Sequence, residues 1–291
     1  SIGVWVFDNK APSGSSRYFD QGLSLENCEF LEYTRYLQDN GYEIFLHTPS
    51  GGNDTREEIM QGFEAFQDFF GAYPIHWVNH STNYENIYWG FERFNSRLFR
   101  WLYRLYSRDR FYGNDPASSY YWGDLCLKHI KYVRGWATDD LNTLAANKSM
   151  PYHDFHKPEV KYWYSNSDGA DCTKFNKLLS KGNIANLIKE NGTAIIYTHF
   201  ASGFVDNEGK LNGETQTLLS YIAQHKNGWF VPVNVILDRF LAIRGITVAE
   251  TGSSYVISNS GELPIAGLQL RIFDTQGVLF RNEIFSPEKN K

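Results

Sequence analysis

The chain has 291 residues, 42% of them hydrophobic, 21% charged and 16% aromatic, with a formal net charge of −5. That balance fits a packed core rather than disorder, and an acidic chain without a long basic run argues against nucleic acid as a partner. No apolar run approaches the roughly 18 residues that a membrane span needs.

In chain order, short apolar strands are expected at 3–7, 42–47, 75–80, 131–136, 160–165, 193–199 and 229–234. Helical spacing falls between several of them. "LENCEFLEYTRYLQDN" stops at Gly41, and "DTREEIMQGFEAFQDFFG" opens on Asp54 as N-cap, with Glu57 three residues on, and stops at Gly71. "NIANLIKENG" and "GETQTLLSYIAQHKNG" precede the last two strands. The segment 91–125, with "FERFNSRLFRWLYRLYSRDRFYG", is helical, rich in Arg and aromatics, and reads as an insertion over one face. Strand–helix alternation implies parallel strands with covering helices. The expected fold is therefore α/β, with about seven parallel strands over residues 1–245 forming a barrel or a doubly wound sheet. From Ile246 onward, "ITVAE", "SSYVISNS", "LQLRIFD" and "VLFRNEIF" alternate at period two between turns. This predicts a small antiparallel β appendage over 246–291.

Cys28, Cys126 and Cys172 are odd in number and far apart. They give neither a disulfide framework nor zinc spacing, and read as buried free thiols.

In parallel α/β folds the working residues gather at the carboxyl ends of the strands. Here the strands end on Asp8-Asn9, His47-Thr48, Asn79-His80, Thr138-Asp139-Asp140, His199 and Asn234. Three of the eight histidines, His47, His80 and His199, thus follow apolar runs at expected strand ends. Neutral imidazole suits zinc and similar ions, and serves as a general acid near neutral pH. Each residue also has a plain structural role open to it: a hydrogen-bonded histidine, an Asx turn at Asp8, a helix cap at Asp139-Asp140. His153 and His156 form an H-x-x-H pair, but Pro151 and Pro158 favour a loop there. His76, His129 and His225 read as surface residues. Aromatic rings can stack on the C–H face of a pyranose. Tyr121 and Trp122, in "SSYYWGD", and the strand-end Asn79 are the candidate sugar contacts.

"LQDNGYEIFLHTPSGGND" resembles a stretch of the polysaccharide deacetylase family (NodB homology, carbohydrate esterase family four), in which a helix and a Gly precede an "EIGxHTxSH" strand and loop. "AIIYTHF" resembles the family's late "LxLH" strand, and "VNVILDRFL" the closure after it. The likeness covers roughly residues 1–245 and is carried by those stretches. It implies a deformed barrel, a divalent metal such as zinc, hydrolysis of N- or O-acetyl groups on a glycan, and a place in the cell envelope or outside the cell. The motif is incomplete: Gly51 stands where the second histidine is expected, and "VFDNK" stands for the family's "TFDDG". On the resemblance, Asp8, His47 and His80 would form an altered metal site, His199 would be the general acid, and Asp8 or Asp139 would accept the proton. An alternative is a non-catalytic glycan-binding or polysaccharide-assembly protein on the same scaffold. A barrel glycosidase would need two carboxylates about 5 to 10 Å apart, for which Asp8 with Asp139 or Asp140 are the candidates.

Overall fold

A computed structural model describes residues 1–9, 22–80, 82–107, 110–252, 254–261, 265, 268–273, 276–277 and 279–285. Residues 108 and 109 of the expected insertion lie outside the described set. The chain divides into two compact units, Ser1–Val233 and Asn234–Lys291.

The first unit runs β1 (Ile2–Trp5), α1 (Cys28–Asp39), β2 (Ile44–Thr48), α2 (Arg56–Phe70), β3 (His76–Trp77), a 3-10 turn (Gly90–Arg93), α3 (Arg97–Tyr106), α4 (Gly123–His129), β4 (Tyr132–Thr138), α5 (Thr143–Ala146), β5 (Tyr162–Asp168), α6 (Cys172–Leu178), α7 (Lys181–Lys189), β6 (Ile196–Tyr197) and α8 (Gly213–Ala223). All six strands are parallel and pair in sequence order, β1-β2-β3-β4-β5-β6, forming a curled half-barrel. Among the described residues this sheet has six strands where seven are expected, and no pairing of β6 with β1 closes it. The segment 229–234 is not a strand: Trp229 and Phe230 are exposed, and α9 (Val233–Arg244) starts directly after Pro232. Proline has no N–H for a sheet ladder but is tolerated where a helix begins.

Register explains the two faces. Val4, Leu46, Trp77, Val133 and Trp163 are paired neighbours across five strands, and all lie in one buried apolar cluster with Phe63 and Phe66 of α2. Side chains one residue away along each strand point to the other, inner face. That face carries Phe45, His47, His76, Tyr132, Arg134 and Tyr164, a polar and aromatic set. A filled barrel would place branched aliphatics there.

Helix ends follow local chemistry. Asn27 caps α1 by accepting from the Phe30 N–H. The cap of α2 is Thr55, with Glu58 completing a capping box, one residue later than expected, and Gly71 ends the helix in the left-handed region at φ 79°. Asp54 is thereby released to the loop. α3 is unusual. Its arginines contact the segment before it, Arg100 donating to the Phe94 carbonyl at 2.6 Å and Arg104 lying over Phe91. Its Leu98, Trp101, Leu102 and Leu105 are exposed.

Cys126 and Cys172 are buried free thiols as expected, but Cys28 is exposed, because it opens α1 on the solvent side. In the second unit, β7 (Ile246–Thr251) pairs antiparallel with β8 (Ser254–Asn259), and β9 (Leu268–Phe273) with β10 (Leu279–Phe285). These are the hairpins that the period-two pattern predicts.

Candidate site at the strand ends

The sheet brings its histidines together. His47 ends β2 on the inner face, where Gly3 of β1 leaves room: a Cβ at Gly3 would meet the Phe45 ring and the His47 Cβ. His80 follows β3. Its backbone is clamped on both sides by Asn86, which accepts from the His80 N–H at 3.0 Å and donates to its carbonyl at 3.1 Å. The two imidazoles meet edge to face at 5.0 Å, and the Trp5 indole packs 5.5 Å from His80 and 6.3 Å from His47.

Burial, then the charges of His80 and Arg134, and more weakly His199, push the His47 pKa well below the usual histidine value. His47 is therefore neutral at neutral pH, a state suited to accepting a proton or binding a metal. Its Nδ1 is buried with no hydrogen-bond partner among the described residues. The same holds for Trp5 Nε1, Asn166 Oδ1 near the end of β5 and Thr198 Oγ1 after β6. Buried polar groups are normally paired, so these four atoms at the strand ends have hydrogen-bonding capacity left over.

His199 is exposed, and its Nδ1 lies 3.0 Å from the Ala170 carbonyl. A carbonyl only accepts, so the proton resides on Nδ1 and Nε2 is the basic nitrogen. Arg134 stands on β4 with its guanidinium 4.7 Å from the Tyr197 ring centroid. Below them, Glu43, His76 and Tyr164 form a buried chain. His76 Nδ1 lies 3.4 Å from Glu43 Oε1, and its Nε2 contacts the Tyr164 hydroxyl. His76 was expected at the surface, yet it is 1% exposed, because β3 is central and His76 points inward.

The other candidates fall elsewhere. Asp8 is exposed and accepts from the Ser24 hydroxyl at 2.6 Å. Asp139 is exposed, and Asn142, not Asp139 or Asp140, caps α5. Asn79 is buried and staples its own loop: its Oδ1 accepts from the Ile87 N–H at 3.1 Å and its Nδ2 donates to the Ile87 carbonyl at 3.0 Å. Trp122 is fully buried against Trp77 and donates to the Glu85 carbonyl at 2.7 Å, so it faces no ligand. Tyr121 is half-buried beneath the Arg56 guanidinium. His153 Nδ1 lies near the Val160 and Lys161 carbonyls in a loop with the exposed His156.

The loop after His47 leaves no room for a side chain at Gly51. A Cβ at Gly51 would collide with the Asn9 amide, whose oxygen accepts from the Gly51 N–H. The next carboxylates, Asp54 and Glu85, are buried together. Asp54 binds both the N–H and the hydroxyl of Ser50, at 3.0 and 2.8 Å, and its own N–H donates to Glu85 at 3.2 Å. Burial and the Asp54 charge push the Glu85 pKa well up.

His47 and His80 supply two imidazole donors for an ion. Among the described residues no third His, Cys, Asp or Glu joins them. Hydrolytic zinc sites use three protein ligands, so the described residues fit such a centre only in part. Residues not singled out from the sequence are Trp5, Arg134, Asn166 and Tyr197. An arginine inside the apolar run "KYVRGW" was the one available signal.

No family model, curated protein or solved structure matches this chain.

Proposed function

We propose that the chain is a carbohydrate-active hydrolase related to polysaccharide deacetylases, removing acetyl groups from N- or O-acetylated glycans at the strand-end pocket. The convergence of His47 and His80, from strands more than thirty positions apart in sequence, with His199 acting electrostatically on the same ring, carries this reading. Neutral His47 accepts a proton from water, Arg134 stabilises negative charge developing on the acyl oxygen, and His199 hands a proton to the leaving group. A divalent ion, when bound, would be held by His47 and His80, would lower the pKa of water and polarise the acyl group, and would occupy the lone pair with which metal-free His47 accepts the proton.

The test is acetate release from an acetylated chito-oligosaccharide, measured with and without added zinc. The expected result is release that falls about 100-fold or more in His47→Ala and in His80→Ala, and within about twofold of wild type in Asp8→Asn. No release from any acetylated glycan would remove the hydrolase reading.

A second reading, glycan binding without chemistry, is favoured by one observation: both carboxylates expected to act as base, Asp8 and Asp139, are exposed and outside the imidazole pair. Calorimetric binding of an oligosaccharide that survives without acetate release supports it.

A further inference from the structure

A cleft of about 450 Å³ opens beside β4 and β5, between the segment 88–95 and the loop 152–157. Its volume lies within the roughly 300–1,000 Å³ of small-ligand sites. None of the imidazoles lines it; Trp89, Arg93, Trp136, Tyr152, Lys157 and Trp163 do.

Three features are those of a ligand site. The first is aromatic surface: Trp136 is 63% exposed although it belongs to β4. Such a plane matches the C–H face of a pyranose. The second is charge. The exposed Arg93 guanidinium stacks 3.3 Å from the Trp89 ring centroid. No carboxylate pairs with it among the described residues, and its charged neighbour, Arg134, has the same sign. Lys157 and Asp154 neutralise one another at 2.5 Å. Arg93 is therefore the uncompensated charge of the cleft, and a guanidinium held flat on an indole with no carboxylate partner favours a bidentate anion. The third is an unused donor. Trp163 is 5% exposed, and its indole N–H has no acceptor among the described residues.

We propose that this cleft binds a pyranose ring bearing a carboxylate, a uronic acid unit of an acidic glycan. Trp136 and Tyr152 take the ring, Arg93 the carboxylate, and Asn95 a hydroxyl. This rests on the reading of the chain as glycan-acting, and it narrows that reading to acidic polysaccharides.

Titration calorimetry of the full chain with a galacturonic acid trimer, the neutral cellotriose and a sulfated cellotriose tests it. The galacturonate trimer should bind at least about tenfold more tightly than cellotriose. Arg93→Gln should weaken it about tenfold or more, Arg93→Lys less, and Trp136→Ala should weaken it while circular dichroism stays unchanged. His47→Ala should leave the affinity intact. Equal binding of acidic and neutral trimers, or full affinity in Arg93→Gln, overturns the proposal. Tighter binding of the sulfated trimer overturns the carboxylate assignment. Absent acetate release with intact trimer binding counts against the imidazole pocket and supports the cleft; acetate release without trimer binding removes the cleft alone.

Discussion

His47 is a base held uncharged by burial and by positive neighbours. An unfolded chain binds a proton at this residue near pH 6.5, and the folded chain does so only at lower pH. Stability is thus complete above about pH 6.5 and falls as pH drops toward the folded value. Thermal melts should show this acid-side loss, and His47→Gln should flatten it; an identical pH profile in the variant would contradict the assignment. Glu85 has the opposite sign. Its raised pKa means that the protonated carboxyl suits the fold, so its contribution is present below about pH 4.5 and is lost as pH rises through the folded value. Glu85→Gln should therefore gain in melting temperature relative to wild type as pH is raised from 4 to 8; a constant difference would count against it. At this scale the sequence was partly legible. His47 and His80 could be found because each terminates an apolar run. Asp54 read as a helix cap because its true role, receiving Ser50, depends on loop geometry that spacing does not encode. Trp122 looked like a loop aromatic because nothing local reveals that it packs on Trp77, 45 residues earlier.

Among the elements, stability follows burial rather than hydrophobicity. Trp122, at the start of α4, is fully enclosed, and Trp122→Ala should cost about 3–5 kcal/mol in denaturant unfolding. Leu105 on α3 is 69% exposed, and Leu105→Lys should stay within about 0.5 kcal/mol of wild type. A large loss at Leu105 would mean that the apolar stripe of α3 is covered in solution. Thr55→Ala should cost about 1 kcal/mol, since the hydroxyl accepts from the Glu58 N–H. Strands were easier to locate than to delimit. β3 has two residues where six were expected, because the Asn79 side chain, bonded to both backbone groups of Ile87, takes over from the ladder. The run 229–234 has the composition of a strand, but its exposed aromatics find no sheet among the described residues.

For the molecule as a whole, curvature makes the site. His47 leaves β2 and His199 follows β6, four strand spacings apart, about 19 Å in a flat sheet. At that separation their charges would be largely screened in ordinary salt, where the Debye length is about 8–10 Å. In the curled half-barrel His199 is the weakest of the charges that lower the His47 pKa, after His80 and Arg134. The parallel pairing was legible from strand–helix alternation; the strand order and how far the sheet curls were not, since alternation fits a barrel and a doubly wound sheet alike. The shared strand-end pocket is tested most directly by following the His47 imidazole through a pH titration by nuclear magnetic resonance, in wild type, His80→Ala and His199→Ala. Both variants should titrate at a higher pH than wild type, with the larger rise in His80→Ala. A His47 midpoint unmoved in both would mean that the three rings do not share a site.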